Sequence, residues 1–446
     1  MKKYWVLCGL ALVFLSGQAQ EKWTLERCIS YAVENNIEIK QQELQVQASE
    51  INLNTSKNNR LPNLSAGANQ NFSFGRTVIT KTNTAESGNV GSTSFSLSSS
   101  VPLFTGFRIP NEIKQNEFNL LAATEGLNKA KDNLSLQVAS LFLDILFKKE
   151  LLAVYEEQTM LTLKQAEQTQ ILFNSGKVPE SQIYDIRAQL AKDELNITTA
   201  RNNLDMSLLN LAQALNLPDG NEGFDIEIPD LADAFEQSSV SLVSPKIILD
   251  RALGIRSEVK EAEYNIESRK RAVKIAESGH WPSLNLNFGY GTGFDRVFGN
   301  NVRNDNIHNQ LIGNQNKTIG LSLNVPIFSR FQIRNQVRSA HVGLQNQRLV
   351  LENVKQALNK EIQQAYQSAV AAQAKYTSTE KACDASEIAY KFMQEKYAND
   401  KATVYELTEA QTKLLTSKSE QVQSKFDFIF RAKILDFYRG VPIELK

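Results

Sequence analysis

Few side chains in this sequence are spaced to do chemistry. The three histidines, His280, His308 and His341, fall near a strand end, in a loop and on a helix, and none has metal-ligand spacing with another His, Cys or acid. Gly289-Tyr290-Gly291 sits inside a strand pattern rather than before a helix, so it is no phosphate loop. No nucleophile stands near a base and an orienting acid, and the pattern implies no enzyme, cofactor or metal. Two polar features remain. Glu406 and Glu409 lie one helical turn apart on a common face, which the residues alone allow to be a solvated charged face. Two breaks in long helical patterns carry residues that suit tight turns: Asn174, Ser175, Gly176 and Lys177, then Asn399, Asp400 and Lys401.

The elements that position these residues occur twice. Val101-Pro102-Leu103-Phe104 opens one stretch, and Val325-Pro326-Ile327-Phe328 opens another. Pro102 to Pro218 and Pro326 to Pro442 span the same 116 positions, and Gly176 and Asp400 share the 224-residue offset of Pro102 and Pro326. That offset maps Glu406 and Glu409 onto Gln182 and Asp185. Upstream, Leu61-Pro62-Asn63-Leu64 matches Trp281-Pro282-Ser283-Leu284 at an offset of 220. A duplicated unit follows, with a first repeat over 20–218 and a second over 246–446. Between them, 219–245 carries Asp219, Glu222, Asp225, Glu227, Asp230, Asp233 and Glu236 without a basic residue, and reads as an acidic linker with a short helix or strand packed outside the hairpins.

Composition narrows the class. Lysine plus arginine and aspartate plus glutamate both number 49, so there is no basic surface for nucleic acid. Lys2-Lys3, the apolar run Val6 to Leu15 and the small residues to Ala19 form a secretory signal peptide over 1–19. After it, no apolar run reaches the ~18 residues of a helical membrane span. Cys28 and Cys383 read as small buried hydrophobes rather than a disulfide.

In each repeat the pattern then switches period. Helices are expected from Leu25 and over Ile37 to Asn58, with a counterpart from Ile247 to Gly279. Next comes alternation of apolar and small polar residues, as in Thr318-Ile319-Gly320-Leu321-Ser322-Leu323. This predicts two strand hairpins, at about 63–103 and 283–328, with strands of ~10 residues, the length of a tilted membrane strand. A half-buried soluble sheet gives the same alternation. The connections Arg76 to Ser92 and Asp295 to Lys317 read as hydrated loops. Finally, apolar residues recur at four-three spacing: Leu134, Val138, Leu141, Ile145, Leu152, Tyr155, Ala166 and Phe173, then Leu358, Ile362, Ala365, Ala369, Ala372 and Tyr376. They predict helical hairpins over about 105–217 and 329–440, with a first helix ~100 Å long, well beyond the ~30 Å of a bilayer core.

At these landmarks the chain resembles the TolC family of outer-membrane efflux proteins. The resemblance covers essentially the whole mature chain. It rests on Trp23-Thr24-Leu25-Glu26, the two Pro-x-Phe turns, the two helix breaks, Leu172 to Val178, Arg187-Ala188-Gln189, Ala200 to Leu204 and the duplication itself. It implies an α+β membrane protein in which four strands per chain contribute to a trimeric 12-stranded barrel, continued by a periplasmic α-helical tunnel. Arithmetic agrees, because four strands cannot close a barrel and eight leave an interior filled by side chains. The resemblance further implies a passive duct in the outer membrane, contacted by a periplasmic adaptor (membrane fusion) protein at Asn174, Ser175, Gly176, Lys177, Asn399, Asp400 and Lys401. It implies an inner-membrane transporter of RND or ABC type as the source of energy, in an efflux or type I secretion system. It places a periplasmic gate at Glu406 and Glu409, with Gln182 and Asp185 opposite, where a trimer would ring carboxylates around its axis. The sequence departs from the family at Ser175 and Asn399-Asp400, where small apolar residues and a valine-glycine pair are usual. Two other readings compete: a periplasmic coiled-coil adaptor or scaffold without a channel, and a secreted hydrolase on a helical stalk.

Overall fold

A computed structural model describes residues 22–79, 84–87, 89–217, 224–229, 243–298, 304–399 and 401–444. The signal peptide and most of the acidic linker, including Asp219, Glu222, Asp230, Asp233 and Glu236, lie outside the described residues, as does Asp400. The chain forms two compact units, and each takes residues from both repeats. The first comprises 1–41, 128–256 and 357–446, and the second 42–127 and 257–356.

The chain opens with α1 (Leu25–Asn35), capped by the Thr24 hydroxyl, which accepts from the Arg27 amide at 3.2 Å. Asn36 then leaves the helix in an extended conformation, and its side-chain oxygen accepts from the Glu38 amide at 2.8 Å, starting α2 (Ile37–Asn58). In the second repeat the expected helix from Ile247 to Gly279 is two helices. These are α5 (Pro245–Ile255) and α6 (Ser257–Glu277), followed by a single 3-10 turn at Ser278–His280. The break is Arg256, 220 positions after Asn36 and in the same extended conformation. Its side chain is buried, 3.4 Å from the Asp132 carboxylate and 4.2 Å above the Phe437 ring. A tertiary contact holds this break, so no local signal marks it.

Four strands make one antiparallel sheet in the order β1 (Ser65–Ser73), β4 (Asn89–Thr105), β5 (Ser283–Phe298), β6 (Asn316–Asn324). The outer strands have the expected length, at 9 residues, but the inner ones run to 17 and 16. The expected loops are therefore partly ordered. A small hairpin, β2 (Arg76–Ile79) with β3 (Thr84–Ser87), occupies the first, and α7 (Ile307–Gly313), which contains His308, occupies the second.

The long helices are α3 (Arg108–Asn174) and α8 (Gln332–Ala398), each of 67 residues and 224 positions apart at both ends. They return as α4 (Ser181–Leu215) and α9 (Val404–Tyr438), each of 35. The first begins at Arg108 and not at Thr105, because Thr105 still pairs with Ser283 in the sheet. Gly106 and Phe107 then turn the chain with φ of 60° and 68°. Arg330 and Phe331, 224 positions on, make the same left-handed turn with φ of 50° and 61°.

Leu134, Val138, Ile145, Leu358, Ile362, Ala369 and Ala372 of the expected seam are buried. Leu141, Leu152, Tyr155, Ala166, Phe173, Ala365 and Tyr376 are half-buried, and α3 adds Phe142, Leu143 and Leu146, so its core face is wider than a heptad stripe. Each hairpin also holds a buried polar pair at equivalent positions. Thr162 donates to Asp193 at 2.6 Å, and the Ser386 and Ser417 hydroxyls meet at 3.0 Å. Of the acidic segment, Asp225 pairs with Lys149 on α3 rather than with solvent alone, and Ile226 bridges to Trp23.

Candidate functional site

The sheet has two chemically distinct faces. On one, Leu284, Leu286 and Phe288 of β5 lie opposite Leu323, Leu321 and Ile319 of β6, and Leu97 lies opposite Tyr290. On the other, Ser96, Ser98 and Ser100 lie opposite Gly291, Gly289 and Asn287, and these opposite Asn316, Thr318 and Gly320. Ile319, Leu321 and Leu323 are 77%, 67% and 65% exposed. A soluble sheet would cover that face. Aromatic rings gather where the sheet meets the helices: Phe104 on Phe107, Phe107 on Trp281, and Phe328 on Phe331. Such girdles suit the edge of a bilayer.

Among the described residues the outer strands leave their far edges unpaired, and they are not level. Gly320, the middle of β6, lies opposite Asn287 and through it Ser100 of β4, whereas Asn69, the middle of β1, lies opposite Ser94. Past Gly291, where β6 stops, carboxamides take over the edge of β5. Asn314 donates to the Gly293 carbonyl at 2.8 Å. Gln310 accepts from the Asp295 amide at 2.9 Å and donates to its carbonyl at 3.1 Å. Asn304 accepts from the Val297 amide at 2.8 Å and donates to its carbonyl at 3.0 Å. Three side chains thus serve every second residue, as a neighbouring strand would.

At the first helix break the Lys177 amide donates to the Leu172 carbonyl at 2.9 Å and the Gly176 amide to Phe173 at 2.8 Å. Gly176 has φ of 73°, and this bond pattern is a Schellman cap, which explains the glycine. Asn174, Ser175, Gly176 and Lys177 are all exposed. The second break repeats the long bond at the equivalent positions, Lys401 amide to Lys396 carbonyl at 2.8 Å, with Asn399 and Lys401 exposed.

The helices that leave the two breaks start differently. Glu180 precedes α4 without a side-chain cap. Thr403 precedes α9 in a full capping box, its hydroxyl accepting from the Glu406 amide at 3.3 Å while Glu406 Oε2 accepts from the Thr403 amide at 2.8 Å. The Thr403 amide, then its hydroxyl, hold the Glu406 carboxyl below the usual glutamate range. Thr403 is a site residue that the reading above missed, although Thr403-Val404-Tyr405-Glu406 is the signature of such a box. Glu409 and Asp185 are exposed, whereas Gln182 is half-buried with its side-chain oxygen unpartnered.

The family model for outer membrane efflux proteins matches residues 28–217 and 248–427, once per repeat. The chain belongs to the outer membrane efflux protein family. This efflux channel is 22% identical to the outer membrane protein TolC of Escherichia coli (strain K12), over 95% of its own length and 83% of that protein's. It is 21% identical to the outer membrane efflux protein BepC of Brucella suis biovar 1, over 93% and 85%. Its fold matches that of CusC with a TM-score of 0.76 at 16% identity, over 94% of this chain and 93% of that one. It matches the outer membrane protein VceC of Vibrio cholerae with a TM-score of 0.74 at 18% identity, over 94% and 97%. The efflux channel is an outer-membrane protein of a transport family rather than an enzyme family, and the adaptor-scaffold reading falls away.

Proposed function

We propose that the efflux channel closes as a homotrimer around one shared 12-stranded barrel. It would act as a passive duct for cargo driven by an inner-membrane transporter of RND or ABC type, joined through a periplasmic adaptor. The observation that carries this reading is the offset between the sheet's two open edges. Both outer strands have 9 residues, so β6 of one copy can pair along its whole length with β1 of the next. Their midpoints differ by six residues of β4, from Ser94 to Ser100. That is about 20 Å along the strands against about 19 Å across four strand spacings. The ratio gives a tilt of about 45°, at the upper end of what closed membrane barrels adopt. Two copies would give the same tilt but an interior filled by side chains, and three leave a channel.

The exposed turns at Asn174 to Lys177 and Asn399 to Lys401 supply the adaptor contact. Glu406 and Glu409 line the periplasmic entrance as rings of carboxylates, with Gln182 and Asp185 completing the constriction; such rings favour cations. Conductance of the detergent-purified protein across a planar lipid bilayer tests the reading. Small cation-selective currents that grow and lose selectivity in Glu406→Gln/Glu409→Gln support both duct and gate. Selective currents that the substitutions leave unchanged overturn the gate, and protein that never inserts overturns the duct.

A further inference from the structure

Strands β1 and β4 separate before the helices begin. The last pair between them is Ser65 with Ser98, yet β4 runs on to Thr105. Asn63 serves the open edge for one more step. Its amide donates to the Ser100 carbonyl at 3.1 Å, and its side-chain oxygen accepts from the Ser100 amide at 2.7 Å. Beyond it Pro102 has no amide to offer. The register with β5 slips between Pro102 and Phe104, so Leu103 bulges out, 53% exposed. A pocket of about 350 Å³ opens at this point. Leu103, Phe104 and Phe107 line it with Ile109 and Pro110 from the start of α3, and Arg60, just past the end of α2, completes the wall.

Apart from Thr105, Arg60 is the only polar residue in the lining. Its side chain is exposed and has no ion pair or hydrogen bond among the described residues. Phe104 lies opposite Leu284, the last rung of the sheet's apolar face, and its ring meets that of Phe107 at 5.3 Å. The pocket therefore sits where the apolar band ends and the long helices begin. A cation at that level meets the phosphates of a bilayer rather than its chains. Lys57, Lys114, Arg330 and Arg334 are exposed within about two helical turns of the sheet, and they too lack ion pairs among the described residues. Arg108 and Lys274, by contrast, are neutralised by Glu112 and Glu277. The second repeat packs the equivalent junction tightly. Gly279, 220 positions after Asn59, lies so near Ile333, the counterpart of Ile109, that an added Cβ would be 3.2 Å from its side chain.

We propose that this pocket binds an anionic phospholipid of the leaflet nearest the helices, with one acyl chain on Leu103, Phe104 and Phe107 and the phosphate accepting hydrogen bonds from the Arg60 guanidinium. A guanidinium presents its donors as a planar fork that suits phosphate, and beside an apolar wall the pair is screened less than in water. Free phosphate would meet the charge but leave the apolar walls wet. A choline lipid would fill the walls but bring a second cation beside Arg60. A phosphatidylglycerol-type lipid satisfies both, and it ties the end of α2 to the membrane surface.

Native mass spectrometry of the detergent-purified full-length protein, titrated with phosphatidylglycerol or phosphatidylcholine, tests the site. Phosphatidylglycerol is expected to add one molecule per chain, about fivefold or more tightly than phosphatidylcholine. Glycerol 3-phosphate, which has the charge without the chains, should not displace it. Arg60→Gln should abolish the preference while leaving the melting temperature in detergent unchanged, since the side chain is exposed. Arg334→Gln should leave the preference largely intact. Equal affinity for the two lipids, or an anionic preference that survives Arg60→Gln, overturns the site. A preference lost as fully in Arg334→Gln as in Arg60→Gln means a diffuse positive field and no lipid pocket. Displacement by glycerol 3-phosphate means an anion site without a lipid, and likewise overturns the proposal.

Discussion

Glu406 Oε2 accepts hydrogen bonds from both the amide of Thr403, at 2.8 Å, and its hydroxyl, at 2.9 Å. The residue expected to guard the entrance is therefore also the residue that starts helix α9. One carboxylate oxygen caps the helix, and the other remains available to an ion. Alanine at 406 removes both functions at once, so its effect on conductance is ambiguous. Glu406→Gln separates them, because an amide oxygen can still cap while the charge is gone. Cation selectivity should fall with Glu406→Gln and persist with Thr403→Ala. The latter should loosen the cap by about 1 kcal/mol, seen as faster hydrogen exchange over 403–407.

The pH dependence of that carboxylate has a defined sign. Its pKa is depressed in the folded protein, so its charge and its cap are fully present above the ordinary glutamate range and are lost only as pH falls below it. With Glu409→Gln in place, reversal-potential measurements should show the cation selectivity that Glu406 supplies being lost at lower pH than a free glutamate would lose it. Loss of selectivity at the ordinary glutamate range in that variant would contradict the capping geometry.

Gly106 should tolerate no side chain. It has φ of 60°, and an added Cβ would lie 2.6 Å from the Ser278 carbonyl oxygen and 2.7 Å from the Trp281 Cβ. Gly106→Ala should cost about 3 kcal/mol, combining left-handed strain with overpacking. Arg330 makes the same turn in the second repeat, and Arg330→Gly should change stability by no more than about 0.5 kcal/mol, since relieved strain offsets added chain entropy. Melting of the two variants in detergent compares the two turns directly.

Removing the central rung of the carboxamide ladder should expose the edge of β5. Gln310→Leu takes away the partner of the Asp295 amide and carbonyl, at a cost of about 1–3 kcal/mol. The Asp295 amide should exchange at least tenfold faster, and the α7 segment should become a site of proteolytic nicking. Unchanged exchange would mean that the ladder does not hold this edge.

Cys28 is fully buried on α1, and burial pushes its thiol up to about 12 against a smaller opposing effect of Arg27. In the folded channel it should resist iodoacetamide at pH 8 and react on unfolding. Because the folded pKa is raised, this residue's contribution to stability is intact below the ordinary thiol range and is lost as pH rises towards about 12. Cys28→Ala should flatten that alkaline loss.

The duplication was legible in the sequence because its landmarks are residues that backbone geometry demands. Gly176 and Asp400, Gly440 and Asn216 mark places where a helix must end, and turn chemistry is local. Heptad spacing and period-two alternation likewise placed Val138, Ile362 and Leu321 on their faces before any contact was known. What failed to show depended on partners distant in the chain. Arg256 breaks a helix because Asp132 and Phe437 receive its side chain, and no local pattern carries that. Strand β5 outruns its expected length because Asn304, Gln310 and Asn314 serve an edge that no strand reaches among the described residues. The six-residue stagger between β1 and β6, from which the tilt of the proposed barrel follows, exists only once three registers are fixed together. Local periods set the elements of this protein, while register and long-range burial decided where each one ends and which strand edges stay open among the described residues.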